Sequence, residues 1–183
     1  VLDGKFIVHR KDDVRNSSSQ VVTMDPATGA IRNLFERTLS AAGAPVAVNN
    51  GVRIAVAEGS TGTVHFVDPV SLERTSFETG GSPRAIAAIG SCVVVGLEHE
   101  KKGLVIKAPV DGVVEVVDQF DFNSFGAAFR GLRSVAADPA TGRIYGLSVY
   151  PCNPYMQNCK DSWNAIVATP RSTRASIAGK CLN

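Results

Sequence analysis

Two short stretches place acidic and imidazole side chains where a ligand could meet them. Glu58 in AVAEG, and Glu98 and His99 in VGLEHE, each follow directly after an apolar run that reads as a strand. If those strands are equivalent, the three side chains fall on one face of the fold. Carboxylate oxygens in such a position suit calcium. The default interpretation is solvated loop charge, with a ligand site as the alternative.

Two arginines form a second candidate ligand site. Arg84 follows Pro83 at the start of a strand-like run, and Arg133 opens a similar run further along the chain. Two guanidinium groups near one axis favour an anionic ligand, because each can bind a carboxylate or phosphate through two parallel hydrogen bonds. The plainer alternative is that each arginine pairs with an acidic neighbour.

Aromatic residues are concentrated in the second half of the chain. The segment DQFDFNSFGAAFRGL reads as an insertion between two sets of strands, and YPCNPY lies further on. Long decorated loops often carry function, so these residues are candidates for a partner surface, with packing against the strands as the alternative. The candidates are Phe120, Phe122, Phe125, Phe129, Tyr150 and Tyr155.

Four cysteines indicate disulfides. The stretch CNPYMQNC predicts a small loop closed by Cys152 and Cys159, which leaves Cys92 to pair with Cys181, although four cysteines allow three connectivities. Free thiols remain an alternative, whereas a metal site would require closer pairs or nearby histidines. Asn16 begins an Asn-Ser-Ser glycosylation acceptor. Together these features favour an oxidising, extracellular or other extracytoplasmic compartment.

Composition and charge exclude several classes of function. The 183 residues carry a formal net charge of +2 and no concentrated basic stripe, which argues against nucleic-acid binding. No run approaches the length of about 20 apolar residues that a membrane-spanning helix needs. No GxSxG, GxGxxG or P-loop pattern occurs, and we predict no cofactor beyond calcium in a hydrolase alternative. The start at Val1 suggests a processed chain or a fragment.

The elements that must position these residues read as strands almost throughout. Short runs rich in β-branched residues, such as VRIAVA and CVVVGLE, are bounded by Gly, Pro, Asn or Asp. The pentapeptide DPATG occurs twice, at 25–29 and 138–142, each time between two such runs. Asp caps the turn, Pro presets its backbone and Gly takes the left-handed conformation that closes it. The pentapeptide therefore predicts hairpin turns rather than chemistry. The segment NLFERTLSAAG reads equally as a helical turn or as a strand end followed by a loop.

The hairpins repeat at a longer period. APVAVNNGVRIAVAEGSTGTVHFVDPVSLERTSFETG aligns with SPRAIAAIGSCVVVGLEHEKKGLVIKAPVDGVVEVVDQF, element for element. Four antiparallel strands recurring at about 40 residues are typical of β-propeller blades. The repeats, and TGTVHFVDPVSLE above all, resemble the YVTN/NHL-type propeller repeat. That resemblance implies an all-β fold of about four blades of four antiparallel strands, but no particular function.

We expect a single β-propeller domain or fragment, with blades at about 1–40, 44–80, 82–122 and 131–178. The first copy lacks an opening strand, so about three and a half blades are recognisable. The C-terminal RASIAGKCLN could pair with the first blade and close a four-bladed ring. Alternatively, the chain is part of a larger propeller whose other blades lie elsewhere, or the repeats form a sandwich.

Two functions follow as hypotheses. The first is an extracytoplasmic binding or assembly module that performs no chemistry and presents loops to a protein or glycan partner, or to blades of another chain. The second rests on the resemblance to propeller hydrolases of the gluconolactonase type, which hold a divalent cation with Glu, Asn and Asp. It is a lactonase or esterase. Three or more convergent carboxylates would favour the second, and an exposed Phe/Tyr patch would favour the first.

Overall fold

A computed structural model of the chain describes residues 4–11, 18–40, 42–49, 52–97, 100, 102–121, 132, 134–149, 163–167 and 171–182. Strands account for most of these residues, and both runs quoted above for their β-branched composition contain a strand. The strands are β1 Phe6–Lys11, β2 Ser18–Met24, β3 Ile31–Asn33, β4 Leu39–Ser40, β5 Val46–Val48, β6 Arg53–Glu58, β7 Thr63–Val67, β8 Arg74–Glu78, β9 Pro83–Ile89, β10 Cys92–Leu97, β11 Lys102–Val110, β12 Val113–Asp121, β13 Ser134–Asp138, β14 Arg143–Val149 and β15 Trp163–Val167.

The strands form four antiparallel sheets in chain order. Sheet 1 contains β1 to β4, sheet 2 runs β5-β6-β7-β8, sheet 3 runs β9-β10-β11-β12, and sheet 4 contains β13-β14-β15. Within each sheet, every strand pairs with its neighbour in sequence, except that β4 pairs with β2. This succession of small meandering sheets confirms the predicted all-β fold built from propeller blades.

The sheets bury their faces against one another in succession. One apolar cluster joins sheet 1 to sheet 2, a second joins sheet 2 to sheet 3, and a third joins sheet 3 to sheet 4. Alternation along the strands explains how one sheet serves two interfaces: in β6, Ile54 and Val56 face sheet 1, whereas Ala55 and Ala57 face sheet 3. The core is therefore divided into layers between blades.

Sheet 1 contains the irregularity that matters for the site. Both β3 and β4 pair with β2, so they act as one strand interrupted by residues 34–38. Leu34 and Phe35 turn inward and are buried, while Glu36 and Arg37 remain exposed. The described start of the segment NLFERTLSAAG is thus a strand end followed by a loop, one of the two predicted alternatives, and the chain then enters β4.

The DPATG turns have the predicted chemistry. Asp25 Oδ1 accepts hydrogen bonds from the amides of Ala27 at 2.9 Å and Thr28 at 3.2 Å, and Gly29 has φ 71°. Asp138 and Gly142 repeat the arrangement, with φ 64° at the glycine. The prediction that the repeated pentapeptide forms hairpin turns is confirmed.

The related turn at Asp68 lacks the glycine. Its amide contacts match, since Asp68 Oδ1 accepts from Val70 N at 2.8 Å and Ser71 N at 3.0 Å. Leu72 takes the place of the glycine and adopts φ 65°. A β-carbon makes that conformation costly, by roughly 1–2 kcal/mol. This hairpin therefore carries backbone strain that the DPATG hairpins avoid.

The C-terminal segment does not close a four-bladed ring, which was one of the alternatives drawn from the sequence. Instead of pairing with the first blade, it forms helix α1 at Arg171–Lys180. Ile177 is fully buried in the cluster between sheets 3 and 4, and Lys180 Nζ lies 2.7 Å from Glu115 Oε1 on β12. Among the described strands, none from this segment closes the ring onto sheet 1. The sequence prediction failed because the segment has few apolar residues, so no helical stripe is visible.

A disulfide attaches this helix end to sheet 3. Cys181 is bonded to Cys92 at the start of β10, which confirms that pairing. The neighbouring backbone is also held, because Ser91 N donates to Cys181 O at 2.8 Å. The predicted partner pair, Cys152 and Cys159, lies outside the described residues. No helix in the described part of the chain has the length and apolarity needed to cross a membrane.

Candidate functional site

Three polar side chains lie in a row on the face of sheet 2 that is directed at sheet 1. Strand pairing places His65 on β7 opposite Ser76 on β8 and opposite Val56 on β6. Glu58 lies two residues after Val56, and therefore on the same face. The pleat of three neighbouring strands thus brings Glu58, His65 and Ser76 together.

Glu58 is completely buried, with a relative exposure of 0%. Arg37, from the loop of sheet 1, donates to both carboxylate oxygens at 2.7 Å. Further donors are Ser40 N at 3.1 Å and Thr61 Oγ1 at 3.0 Å. Burial by itself would raise the pKa of Glu58, but the donors outweigh it and lower the pKa from 4.5 to about 2. The side chain is therefore a carboxylate at neutral pH.

His65 connects the buried carboxylate to the surface. Its Nε2 lies 3.1 Å from Glu58 Oε2, and its Nδ1 lies 2.9 Å from Ser76 Oγ. Burial lowers the pKa of His65, with Glu58 opposing that shift. A neutral imidazole carries one proton, and an ionised carboxylate can only accept. Nε2–H therefore donates to Glu58, and Nδ1 accepts the hydroxyl proton of Ser76.

The row ends at the surface beside a groove. Ser76 is exposed, whereas His65 is only 5% exposed and its ring meets Phe35 edge-on at 5.5 Å between centroids. Arg74, on the same face of β8, places its guanidinium 5.7 Å from the centroid of the Phe35 ring. The groove between the two sheets has a volume of about 510 Å³. It is lined by Asn33, Leu34, Phe35, Glu36, Arg37, Leu72 and Arg74.

The structure changes the interpretation of Glu58. From the sequence alone, the default interpretation is a solvated loop charge just past the second strand. Glu58 is instead the last residue of β6, buried and ion-paired with Arg37 at 2.7 Å. Its predicted companions Glu98 and His99 lie outside the described residues. In the described ranges, no group of three or more His, Cys, Asp or Glu side chains is arranged to hold a metal ion.

The arginine pair is placed only in part. Arg84 is an exposed residue near the start of β9 in sheet 3, as the sequence predicted for its strand. Arg133 is not among the residues that the structure describes, so the proposed convergence of two guanidinium groups stays a prediction.

Of the aromatic candidates, Phe120 lies in the core. It is 3% exposed and packs in the cluster between sheets 3 and 4. Its ring covers Gly103 on the paired strand β11, where no side chain would fit beneath it. Phe120 therefore corrects the assignment to a partner surface and takes the packing alternative. Phe122, Phe125, Phe129, Tyr150, Tyr155 and the glycosylation acceptor Asn16 lie outside the described residues.

Sequence reasoning missed His65, Ser76 and Arg74 as members of a site. A local signal existed, because the turn that starts at Asp68 sets the register of β7 and β8: Asp68 N donates to Glu73 O at 2.9 Å. Counting outward from that pair brings His65 opposite Ser76. The contribution of Arg37 had no such signal, since it comes from a loop in another sheet.

Comparison with known proteins supports the fold. No protein-family model and no curated protein sequence matches the chain. Among solved structures, similarity extends to dihydro-heme d1 dehydrogenase NirN in complex with DHE, at TM-score 0.58 and 16% identity over 90% of this chain and 35% of that one. A chain of the mitotic checkpoint complex gives TM-score 0.60 and 10% identity over 94% of this chain and 45% of that one.

A third similar structure is a β-propeller domain. The β-propeller domain of Cps50 (Swd1) from Myceliophteria thermophila gives TM-score 0.58 and 14% identity over 79% of this chain and 49% of that one. The chain therefore spans less than half the length of each of these three proteins. At such identities the similarity concerns fold, and the specific YVTN/NHL repeat family is not confirmed. In fold, the chain is a β-propeller built from successive antiparallel blades.

Proposed function

We propose that the chain is an extracytoplasmic β-propeller binding module that receives a segment of a protein partner in the groove between sheets 1 and 2. The observation that carries this proposal is the composition of the groove. Phe35 and Leu34 form an apolar floor, and Leu72 is a further apolar side chain at its edge. The guanidinium of Arg74 lies over the Phe35 ring. Clefts of mixed apolar and polar lining, with a few fixed polar groups, are the usual form of binding sites.

Charge indicates what the partner segment should contain. Arg37 is already neutralised by Glu58, so Arg74 is the guanidinium available to an incoming group. A guanidinium placed over an aromatic ring can still bind a carboxylate through its fork of N–H donors. The segment therefore carries an acidic side chain next to an apolar one. A chain of the mitotic checkpoint complex shares this fold, which shows that such folds occur in protein assemblies.

Two separate features bear on the compartment and on the alternative function. The Cys92–Cys181 disulfide supports an oxidising compartment. The alternative of a divalent-cation-dependent lactonase or esterase draws no support from Glu58, whose oxygens accept from Arg37, Ser40, Thr61 and His65.

Selection from a displayed peptide library tests the proposal. The expected result is enrichment of peptides that combine acidic and apolar residues, with binding at least about tenfold weaker for Arg74→Glu because repulsion replaces a charge-assisted hydrogen bond. Arg143→Glu is the matched control, since it makes the same charge change on an exposed residue of sheet 4. Equal losses in both variants, or no enriched peptide, would overturn the groove assignment. Enrichment on a glycan array instead would transfer the function to a glycan partner.

A further inference from the structure

We propose that Ser76 is a nucleophile that accepts an acyl group from a small ester, with His65 as its general base. This activity goes beyond the binding role and does not depend on it. The basis is the continuous row from the surface to the interior, in which Ser76 Oγ lies 2.9 Å from His65 Nδ1 and His65 Nε2 lies 3.1 Å from Glu58 Oε2. A hydroxyl, an imidazole and a carboxylate in hydrogen-bonding sequence are the three parts of an activated serine.

The protonation states fit the role. Glu58 is ionised, and its contact with Nε2 leaves the lone pair of Nδ1 directed at the Ser76 hydroxyl. When Nδ1 takes the hydroxyl proton, the imidazolium that forms lies beside a carboxylate, which stabilises it. In the familiar serine hydrolases the two ring nitrogens have the opposite assignment, but either nitrogen can act as the base.

The surroundings hold the base in place. Glu58 is fixed by Arg37, Ser40 and Thr61, so it acts as a positioning residue for the imidazole. The Phe35 ring also packs against the ring of His65, with 5.5 Å between centroids. The charged groups that act on His65 from the elements around it are Glu58 on β6, Arg37 in the loop of sheet 1 and Arg74 on β8. An imidazole that is already oriented loses little entropy when the reaction begins.

Solvent exposure increases along the row from Glu58 to Ser76, so the hydroxyl that would react is the one that a substrate can reach. Glu58 is fully buried, His65 is nearly so, and Ser76 is exposed. Arg74 lies two residues from Ser76 on the same strand face, about 7 Å away along the chain. Arg74 also lines the groove, so its guanidinium lies beside any ester that reaches the Ser76 hydroxyl from the groove. The substrate class is therefore a small ester with an anionic substituent.

The chemical step balances without an added reactant. Ser76 Oγ bonds to the ester carbonyl carbon while its proton passes to His65 Nδ1. The bond from that carbon to the alkoxy oxygen then breaks, and the departing alcohol takes the proton back from His65. The products are an acyl-serine at position 76 and a free alcohol, and His65 returns to its neutral form.

A fluorophosphonate probe tests the inference on the intact protein. Phosphonylated peptides are mapped by mass spectrometry, and Ser71 is the internal control because it is also exposed but its Oγ accepts from Glu73 N rather than contacting an imidazole. We expect Ser76 to be labelled about 10²-fold faster than Ser71, the lower range for a general base. Ser76→Ala should remove that labelling. Labelling of Ser76 no faster than of Ser71 would overturn the proposal.

Two further readouts separate chemistry from structure. In the wild type, the labelling rate at Ser76 should fall with acidification as His65 takes a proton, whereas a rate independent of pH would contradict a histidine base. His65→Gln should lower the rate to that of Ser71 while Ser71 itself is unchanged. If that variant fails to fold, the wild-type pH profile decides the question, because it needs no substitution.

Discussion

One face of sheet 2 packs on sheet 1 around a buried carboxylate and imidazole, whereas the opposite face packs on sheet 3 through a cluster of apolar side chains. The same three strands, β6 to β8, supply both faces by alternation. On one side Glu58 and His65 are buried with Ile54 and Val56. On the other side Phe66 is buried with residues of sheet 3.

The two contacts of sheet 2 therefore have different roles: apolar burial stabilises the packing of the sheets, whereas the polar cluster fixes the positions of side chains. Apolar burial contributes about 25 cal/mol for each Å² removed from water and does not depend on pH. A buried ion pair adds little net stability compared with apolar packing, but its loss leaves an uncompensated charge. Both contacts gain from apolar burial, and the larger apolar cluster lies between sheets 2 and 3. The contact with sheet 1 sets where Arg37, Arg74 and Ser76 lie, and it depends on protonation.

The largest effect is expected for Phe66→Ala, which removes a buried side chain from the apolar contact between sheets 2 and 3. Phe66 has a relative exposure of 0%. Its truncation should lower the free energy of unfolding by about 3–5 kcal/mol, through lost transfer energy and the cavity that remains. Chemical denaturation at two pH values measures the loss. It should be the same at both, and a loss that varies strongly with pH would contradict a purely apolar interface.

The second largest effect is a loss of stability on acidification, and it concerns the polar contact between sheets 1 and 2. The folded-state pKa of Glu58 is lowered from 4.5 to about 2, so its contribution is complete above pH 4.5 and disappears as the pH falls toward 2. The pKa of His65 is also lowered, so protonation in the unfolded chain below about pH 6.5 favours unfolding in the same direction. We expect a loss of roughly 2 kcal/mol from Glu58, less than the shift implies because Arg37 is half exposed.

Denaturation curves between pH 7 and pH 2 measure this dependence, with Glu58→Gln as the matched variant. The variant should be less stable at neutral pH and should lose the part of the acid dependence that lies below pH 4.5. Phe66→Ala should keep that part unchanged. A Glu58→Gln variant with the wild-type acid profile would show that other carboxylates cause the decline.

The smallest effect concerns the hairpin between β7 and β8, where Leu72 lies at the edge of the groove. Leu72→Gly should raise the free energy of unfolding by about 1 kcal/mol, because glycine accepts the φ of 65° found there without a β-carbon penalty. Thermal unfolding measures the gain. Gly29→Ala is the reciprocal control at φ 71° and should lose a similar amount. A loss of stability in Leu72→Gly would mean that the contacts of Leu72 outweigh its backbone strain.

Strands and turns were predictable because their causes are local. β-branched runs specify β6 and β7, and the Asp-Pro turn at Asp68 specifies the hairpin between β7 and β8, without reference to the rest of the chain. Helix α1 was not predictable, since Ile177 and the bond at Cys181 hold it to distant sheets. The burial of Glu58 was missed for a similar reason: its partner Arg37 is brought to it by an interruption in a different sheet. When the partner of a charged side chain is distant in sequence, the residues next to that side chain do not indicate that it is buried.

The bond between Cys92 and Cys181 encloses the chain from the second strand of sheet 3 to the end of the helix. Its sequence separation is 89 residues, almost half of the molecule. A protease that cuts once anywhere inside this circuit leaves two pieces that stay covalently tied. The second half of the protein can thus be nicked in an oxidising medium without shedding a fragment, whereas a reductant releases it.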